Sequence, residues 1–134
     1  MTGCVLDTDV VIAALDRSDA HHRPAAHAIR TMIADSVPLM LSVINYAETL
    51  VRPAADESTL RRAVAAINAL GIQLHSPTPA IARDAARLRA SNISLADGFA
   101  LATARALGAA VASLDQRVRR AAKAANIELA HAGS

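Results

Sequence analysis

Residues 5–16 read VLDTDVVIAALD. A short apolar run, Val5-Leu6, meets two aspartates at Asp7 and Asp9, and a second apolar run, Val10–Leu15, follows. The first run has strand length, and the second has the spacing of an amphipathic helix. A strand that passes directly into a helix through a polar turn is the opening half of a βαβ unit. Asp7 then marks the carboxyl end of a strand, and Asp9 is placed to cap a helix beginning at Val10.

The rest of the chain repeats that grammar. Apolar runs of strand length occur at GCVL (3–6), PLML (38–41), IQL (72–74) and AAVAS (109–113), with a weaker fifth at IELA (127–130). Longer Ala- and Leu-rich stretches with helical spacing lie between them. Pro38, Pro53, Pro77 and Pro79 punctuate the segments, and Gly71 and Gly108 fall where helices end before strands. Short apolar strands alternating with helices predict one α/β domain over residues 1–134, a doubly wound three-layer fold with a five-stranded parallel sheet and about seven helices.

Composition narrows the function classes. Of 134 residues, 53% are hydrophobic, yet the aromatics are only Tyr46 and Phe99, so the core must be built from Ala, Leu, Val and Ile. No apolar run approaches the roughly 20 residues that cross a bilayer, and the N-terminus lacks the pattern of a signal peptide; the expectation is a cytoplasmic protein with no membrane partner. Cys4 is alone, which excludes an intrachain disulfide and suits a small strand hydrophobe. The net charge is +2, carried by thirteen Arg and one Lys. Arginine permits bidentate phosphate recognition without proving a nucleic-acid partner. Arg83, Arg87 and Arg89 on one helix, with Arg117, Arg119, Arg120 and Lys123 near the end, form either a solvated face or, if some lie beside an acidic crevice, a hold on a nucleic-acid backbone.

Open parallel sheets bind ligands beyond the carboxyl ends of their strands, where the strand order reverses. The polar residues in those positions are Asp7, Ser42, His75, and Ser113 with Asp115. Among the twelve acids, Asp16, Asp19, Asp35, Asp56, Glu57, Asp84 and Glu128 read as loop, cap or solvated-face charges, whereas Asp7, Glu48, Asp97 and Asp115 sit in apolar sequence. Glu48 lies in LSVINYAETLVRP, with Ser42 as a helix cap and Val43, Ile44, Ala47, Leu50 and Val51 as an apolar stripe; it falls beside Ile44, at the stripe's edge. Ser94 to Asp97 matches a capping box, and Asp115 is placed as the N-cap of a basic helix. Four carboxylates converging at one sheet end repel one another unless divalent cations neutralise them, and hard oxygen donors favour Mg2+ or Mn2+. The histidines at 21, 22 and 27 lack the spacing and partners of a transition-metal site; His75 and His131 stand alone.

Four motifs in order, VLDTDVVIAAL, SVINYAETL, SLADGFALATARALGAAVAS and LDQRV, resemble a PIN domain, specifically a VapC-type toxin ribonuclease of a toxin–antitoxin pair. The resemblance covers almost the whole chain. It implies a five-stranded parallel sheet and an Asp7, Glu48, Asp97, Asp115 quartet as catalytic and metal-ligating residues, with Thr8 and Ser113 in support. It further implies a Mg2+- or Mn2+-dependent endoribonuclease that cleaves structured or single-stranded RNA, tRNA being a frequent target, as well as homodimerisation and inhibition by a cognate antitoxin. After Asp115 the chain reads QRV where the family often has Asp-Phe, so no further acid supports that position. The stretch DTDVV also matches the D-x-D-x-[TV] pattern of haloacid-dehalogenase-like phosphatases, with Asp7 as nucleophile and Asp9 as acid/base. That chemistry needs a later Lys, and the only Lys is Lys123. A PIN-like binding module, whose acids only cap helices and hold partner arginines, is the third reading.

Overall fold

A computed structural model of the chain describes residues 3–130. Four strands, β1 (Cys4–Leu6), β2 (Leu39–Ser42), β3 (Gln73–His75) and β4 (Ala110–Ala112), form a parallel sheet in the order β3-β2-β1-β4. The helices are α1 (Thr8–Leu15), α2 (His22–Ala34), α3 (Val43–Thr49), α4 (Glu57–Ala69), α5 (Pro79–Leu88), α6 (Leu95–Leu107) and α7 (Gln116–Ala124). Short 3₁₀ turns cover Pro53–Ala55 and Arg89–Ser91. His131 lies outside the described residues.

Strand alternation sorts the core into two halves. Cys4, Leu6, Leu39, Leu41, Ala110 and Ala112 face a cluster built with α1, α2 and Ile67 of α4. Val5 and Val111 point the other way, into a cluster with Ile81, Ala85 and Leu88 of α5, Leu101 of α6 and Val118 of α7. All of β1 is buried, as an inner strand covered on both faces requires, and β4, at the sheet's other edge, is buried too, with residues 128–130 bonded alongside it. β3 is the exposed edge, with Leu74 half accessible. The expected doubly wound, three-layer α/β arrangement is therefore present.

The expected fifth strand is not. Residues 127–130 contribute only an isolated parallel bridge, Val111 to Leu129. The Val111 N–H donates to the Glu128 carbonyl at 2.9 Å, and the Ala130 N–H donates to the Val111 carbonyl at 2.8 Å. Asn126 turns in the left-handed region (φ 58) just after α7, so only Leu129 comes into register with β4 among the described residues. IELA is apolar enough for a strand, but it has one residue of pairing.

Helix boundaries follow local capping chemistry. Ser42, Asp56, Thr78, Ser94 and Asp115 each accept a backbone N–H at the start of a helix. Ser94 and Asp97 form the full reciprocal capping box. Gly108 closes α6 with φ 62, and Gly71, with φ 72, follows α4. The assignment of Asp9 as a cap is corrected: α1 begins at Thr8, and Asp7 is its N-cap, accepting the Thr8 N–H at 3.0 Å. The helix starts earlier than Val10 because β1 ends at Leu6 and leaves a single residue for the turn.

A close helix contact lies one residue after Asp97. A methyl group placed on Gly98 would stand 2.7 Å from the Ala85 carbonyl oxygen, so α5 and α6 approach there backbone to side-chain-free backbone. Gly98→Ala is expected to force the two helices apart and lower stability by about 1–3 kcal/mol; urea denaturation measures this, and an unchanged midpoint would contradict the close packing.

Candidate active site

Strand order reverses between β1 and β4, since β2 and β3 extend to one side of β1 and β4 lies on the other. Asp7 leaves β1 and Ser113 leaves β4 at this switch point. The Asp7 N–H donates to the Ala112 carbonyl at 2.9 Å, and the Ser113 hydroxyl donates to Asp7 Oδ2 at 2.8 Å. With Oδ1 accepting the Thr8 N–H, both Asp7 oxygens are engaged in a carboxylate only 1% exposed. Burial raises the Asp7 pKa well above the ordinary carboxylate value, and the charges of Asp9 and then Asp97 raise it further; the Ser113 and Thr8 bonds oppose them.

Asp9 stands one turn into the same site. Both of its oxygens accept the Leu114 N–H, at 3.3 and 3.1 Å, which ties α1 to the loop after β4. Burial raises the Asp9 pKa too; the Leu114 and Val10 N–H groups oppose this, and the charges of Asp115 and Asp97 add to it. Asp115 behaves in the opposite way. Partial desolvation disfavours its charge, but the Arg117 N–H, the Arg117 side chain and its positive charge outweigh that and lower the pKa. The Asp97 side chain accepts the Ser94 N–H at 3.1 Å, in its capping box.

The charges of Asp9 and Asp97 thus reach Asp7, and those of Asp115 and Asp97 reach Asp9, at the sheet's carboxyl end. Glu48 is placed differently: it is exposed on α3 and lines a groove with Ile12, Asp16, Thr49, Arg52 and Arg62. The expected stripe on α3 is inverted. Asn45 and Thr49 are the buried residues, while Val43, Ile44 and Ala47 are exposed. Among the described residues, no three His, Cys, Asp or Glu side chains are gathered into a group able to hold a metal ion as they stand. Their chemistry nonetheless suits a hard cation, because every donor is a carboxylate oxygen and Asp7 bears an unfavourable concentration of negative charge. Nucleophilic chemistry at Cys4 is excluded: it is fully buried, and burial with the nearby Glu128 charge pushes its thiol up to about 12.

The PIN domain profile matches residues 4–124. The chain belongs to the PIN domain family. No curated protein sequence matches it. Solved structures with the same fold include VapC20 of Mycobacterium tuberculosis, a sarcin–ricin-loop-cleaving toxin, at 20% identity and a TM-score of 0.70, covering 89% of this chain and 95% of that one. VapBC2 of Rickettsia felis, bound to a DNA fragment from its promoter, is similar at 13% identity and a TM-score of 0.73, covering 94% and 96%. FitAcB of Neisseria gonorrhoeae is similar at 20% identity and a TM-score of 0.66, covering 94% and 95%. At these identities the likeness establishes the fold.

The arrangement opposes the phosphatase alternative. Both oxygens of the would-be nucleophile Asp7 are hydrogen-bonded in a buried pocket, and Lys123 is exposed on α7.

This PIN domain also relies on a residue that periodicity does not reveal. The side-chain amide of Asn45, fully buried, donates to Thr8 Oγ1 and to the Ala96 carbonyl, both at 3.1 Å. Each acceptor is the chain neighbour of a site carboxylate, Asp7 or Asp97, so one amide holds the starts of α1 and α6 together. A carbonyl only accepts, so the nitrogen must face Ala96, and this leaves Oδ1 buried without a partner among the described residues. The usable signal in the sequence was an Asn within an apolar helix, which is rarely retained without a hydrogen-bonding task.

Two outcomes follow for the PIN domain without added cation. Asn45→Ala strips donors from two acceptors and should cost about 2 kcal/mol in urea denaturation. Folding raises the Asp7 pKa, so the folded chain holds that proton more tightly, and stability falls as pH rises from the unfolded value of 3.8 toward the elevated folded one. Asp7→Asn should therefore flatten this decline and leave the variant more stable than the parent at neutral pH; a less stable variant at pH 7 would contradict the charge assignment.

Proposed function

We propose that this PIN domain is a Mg2+- or Mn2+-dependent endoribonuclease, the toxin of a VapC-type toxin–antitoxin pair. One observation carries the reading: at the switch point of a PIN fold, the buried Asp7 lies under the charges of Asp9 and Asp97, and Asp9 under those of Asp115 and Asp97. Asp7, Asp97 and Asp115 would hold the cation with Asp9 beside them, and Glu48 completes the quartet that the resemblance implies. Bound there, a divalent cation would supply positive charge to ease loss of a proton from an attacking water and to neutralise the phosphodiester.

The chain's own residues prepare that chemistry. Ser113 and Thr8 fix the Asp7 carboxylate from two sides, so its orientation costs nothing at the moment of reaction. Arg117 keeps Asp115 ionised. Asn45 sets the separation of α1 from α6, and with it that of Asp7 from Asp97.

The toxin reading also takes support from VapC20, which cleaves the sarcin–ricin loop, and from a toxin–antitoxin complex of Klebsiella pneumoniae with the same fold. A cognate antitoxin has a seat available: a groove of about 780 Å³ whose apolar lining includes Ile12, Leu15, Val51 and Pro53, with Glu48 on its wall. For pairing with a second copy, Val43 and Ile44 on α3 and Leu95 on α6 offer exposed apolar surface.

Purified protein should cleave a structured RNA in Mg2+ or Mn2+, and EDTA, Asp7→Ala or Asp97→Ala should abolish the cleavage. Full cleavage by the Asp7→Ala protein would overturn the metal-site assignment. Metal-independent RNA binding without cleavage would favour the binding module instead.

A further inference from the structure

We propose that a notch between the 89–92 turn and α7 seats a phosphodiester of the RNA strand next to the one being cleaved. The proposal rests on the ribonuclease reading above and extends it to the substrate's path. Ser91, Asn92, Arg117, Arg120, Ala121 and Ala124 line this notch of about 350 Å³.

Its chemistry is rich in donors and free of acids. Arg120 is exposed and has no hydrogen-bond or ion-pair partner among the described residues, and neither do the side chains of Ser91 and Asn92. The left-handed Asn92 (φ 64), whose N–H donates to the Arg89 carbonyl at 3.2 Å, ends the turn at the notch's wall. Two guanidinium groups, a hydroxyl and a carboxamide around one concavity select an oxyanion over a cation or an apolar group.

Position selects RNA phosphate among oxyanions. Arg117 spans the notch and the acidic site, because its Nη2 lies 3.4 Å from Asp115 Oδ2. Two positions further along α7, Arg119 donates to the carbonyl of Ser113, the residue that holds Asp7, at 3.2 Å. Four carboxylates repel an approaching phosphodiester, so the strand needs positive charge just outside their cluster, on an element that shares their frame. α7 is that element: it opens at Asp115 and carries Arg117, Arg119 and Arg120 within its first five residues. The notch holds the strand while the acids act on its neighbour.

The test uses the full chain carrying Asp97→Asn, so that RNA is bound and not cut, and EDTA, so that no cation contributes. Fluorescence anisotropy with a short single-stranded RNA is measured across a salt series. Adding Arg120→Gln should weaken binding roughly three- to tenfold and reduce the slope of log K against log salt by about 0.7, the contribution of one phosphate contact on a single strand. Arg30→Gln, an exposed change on α2 in the opposite layer, should leave the slope alone. Equal slopes for the parent and Arg120→Gln proteins, or equal losses in both variants, would overturn the notch. So would Arg120-dependent binding of an acidic peptide with unchanged RNA affinity, because the occupant would then be a protein. The binding readout does not require cleavage: if the unsubstituted chain fails to cut RNA in Mg2+ or Mn2+ while the slope depends on Arg120, the nuclease reading falls and the notch stands, and if the unsubstituted chain cuts RNA while the slope ignores Arg120, the reverse holds.

Discussion

The hydrogen bond from the Ser113 hydroxyl to Asp7 Oδ2, 2.8 Å long, joins residues 106 positions apart in sequence. It exists because β1 and β4 are neighbours across the reversal of strand order, and it turns a topological feature into a chemical one. A carboxylate 1% exposed is costly to ionise, and the fold supplies only two donors for it while setting Asp9 and Asp97 close by. Ionising the site therefore concentrates negative charge that its described protein groups do not neutralise. Stability and function pull on the same atom: what weakens the empty fold is what would attract a cation.

The environment then separates chemically identical side chains. Asp7 and Asp9 are driven toward the protonated form by burial, whereas Asp115, nearer to solvent and paired with Arg117, stays ionised. Asn45 sets the spacing within this group by bonding beside Asp7 and beside Asp97 with one amide. On the far side of Asp115, the arginines of α7 continue the site into positive surface, so acid and base alternate along the path a polyanion would follow.

Much of the fold was legible because its signals are local. Strand-length apolar runs, a capping box at Ser94–Asp97, an N-cap at Asp115 and left-handed glycines after α4 and α6 each depend on a few adjacent residues, and each appears where the sequence places it. The readings that failed all depended on what lies opposite. The fifth strand needed a register with β4 that only Leu129 attains. The stripe on α3 was assigned by hydrophobicity, but the helix turns Asn45 and Thr49 inward, where the partners are Thr8 Oγ1, the Ala96 carbonyl and the helix's own backbone.

Sequence by itself determined the class of fold, the family resemblance and three acids at the right end of the sheet, since periodicity and capping are written in consecutive residues. Tertiary structure alone decided what the two opening aspartates do. Asp7 caps α1 and receives the Ser113 hydroxyl, and Asp9 reaches the Leu114 N–H 105 residues away. Two carboxylates two positions apart carry the same local information, and only the strand lying alongside tells them apart.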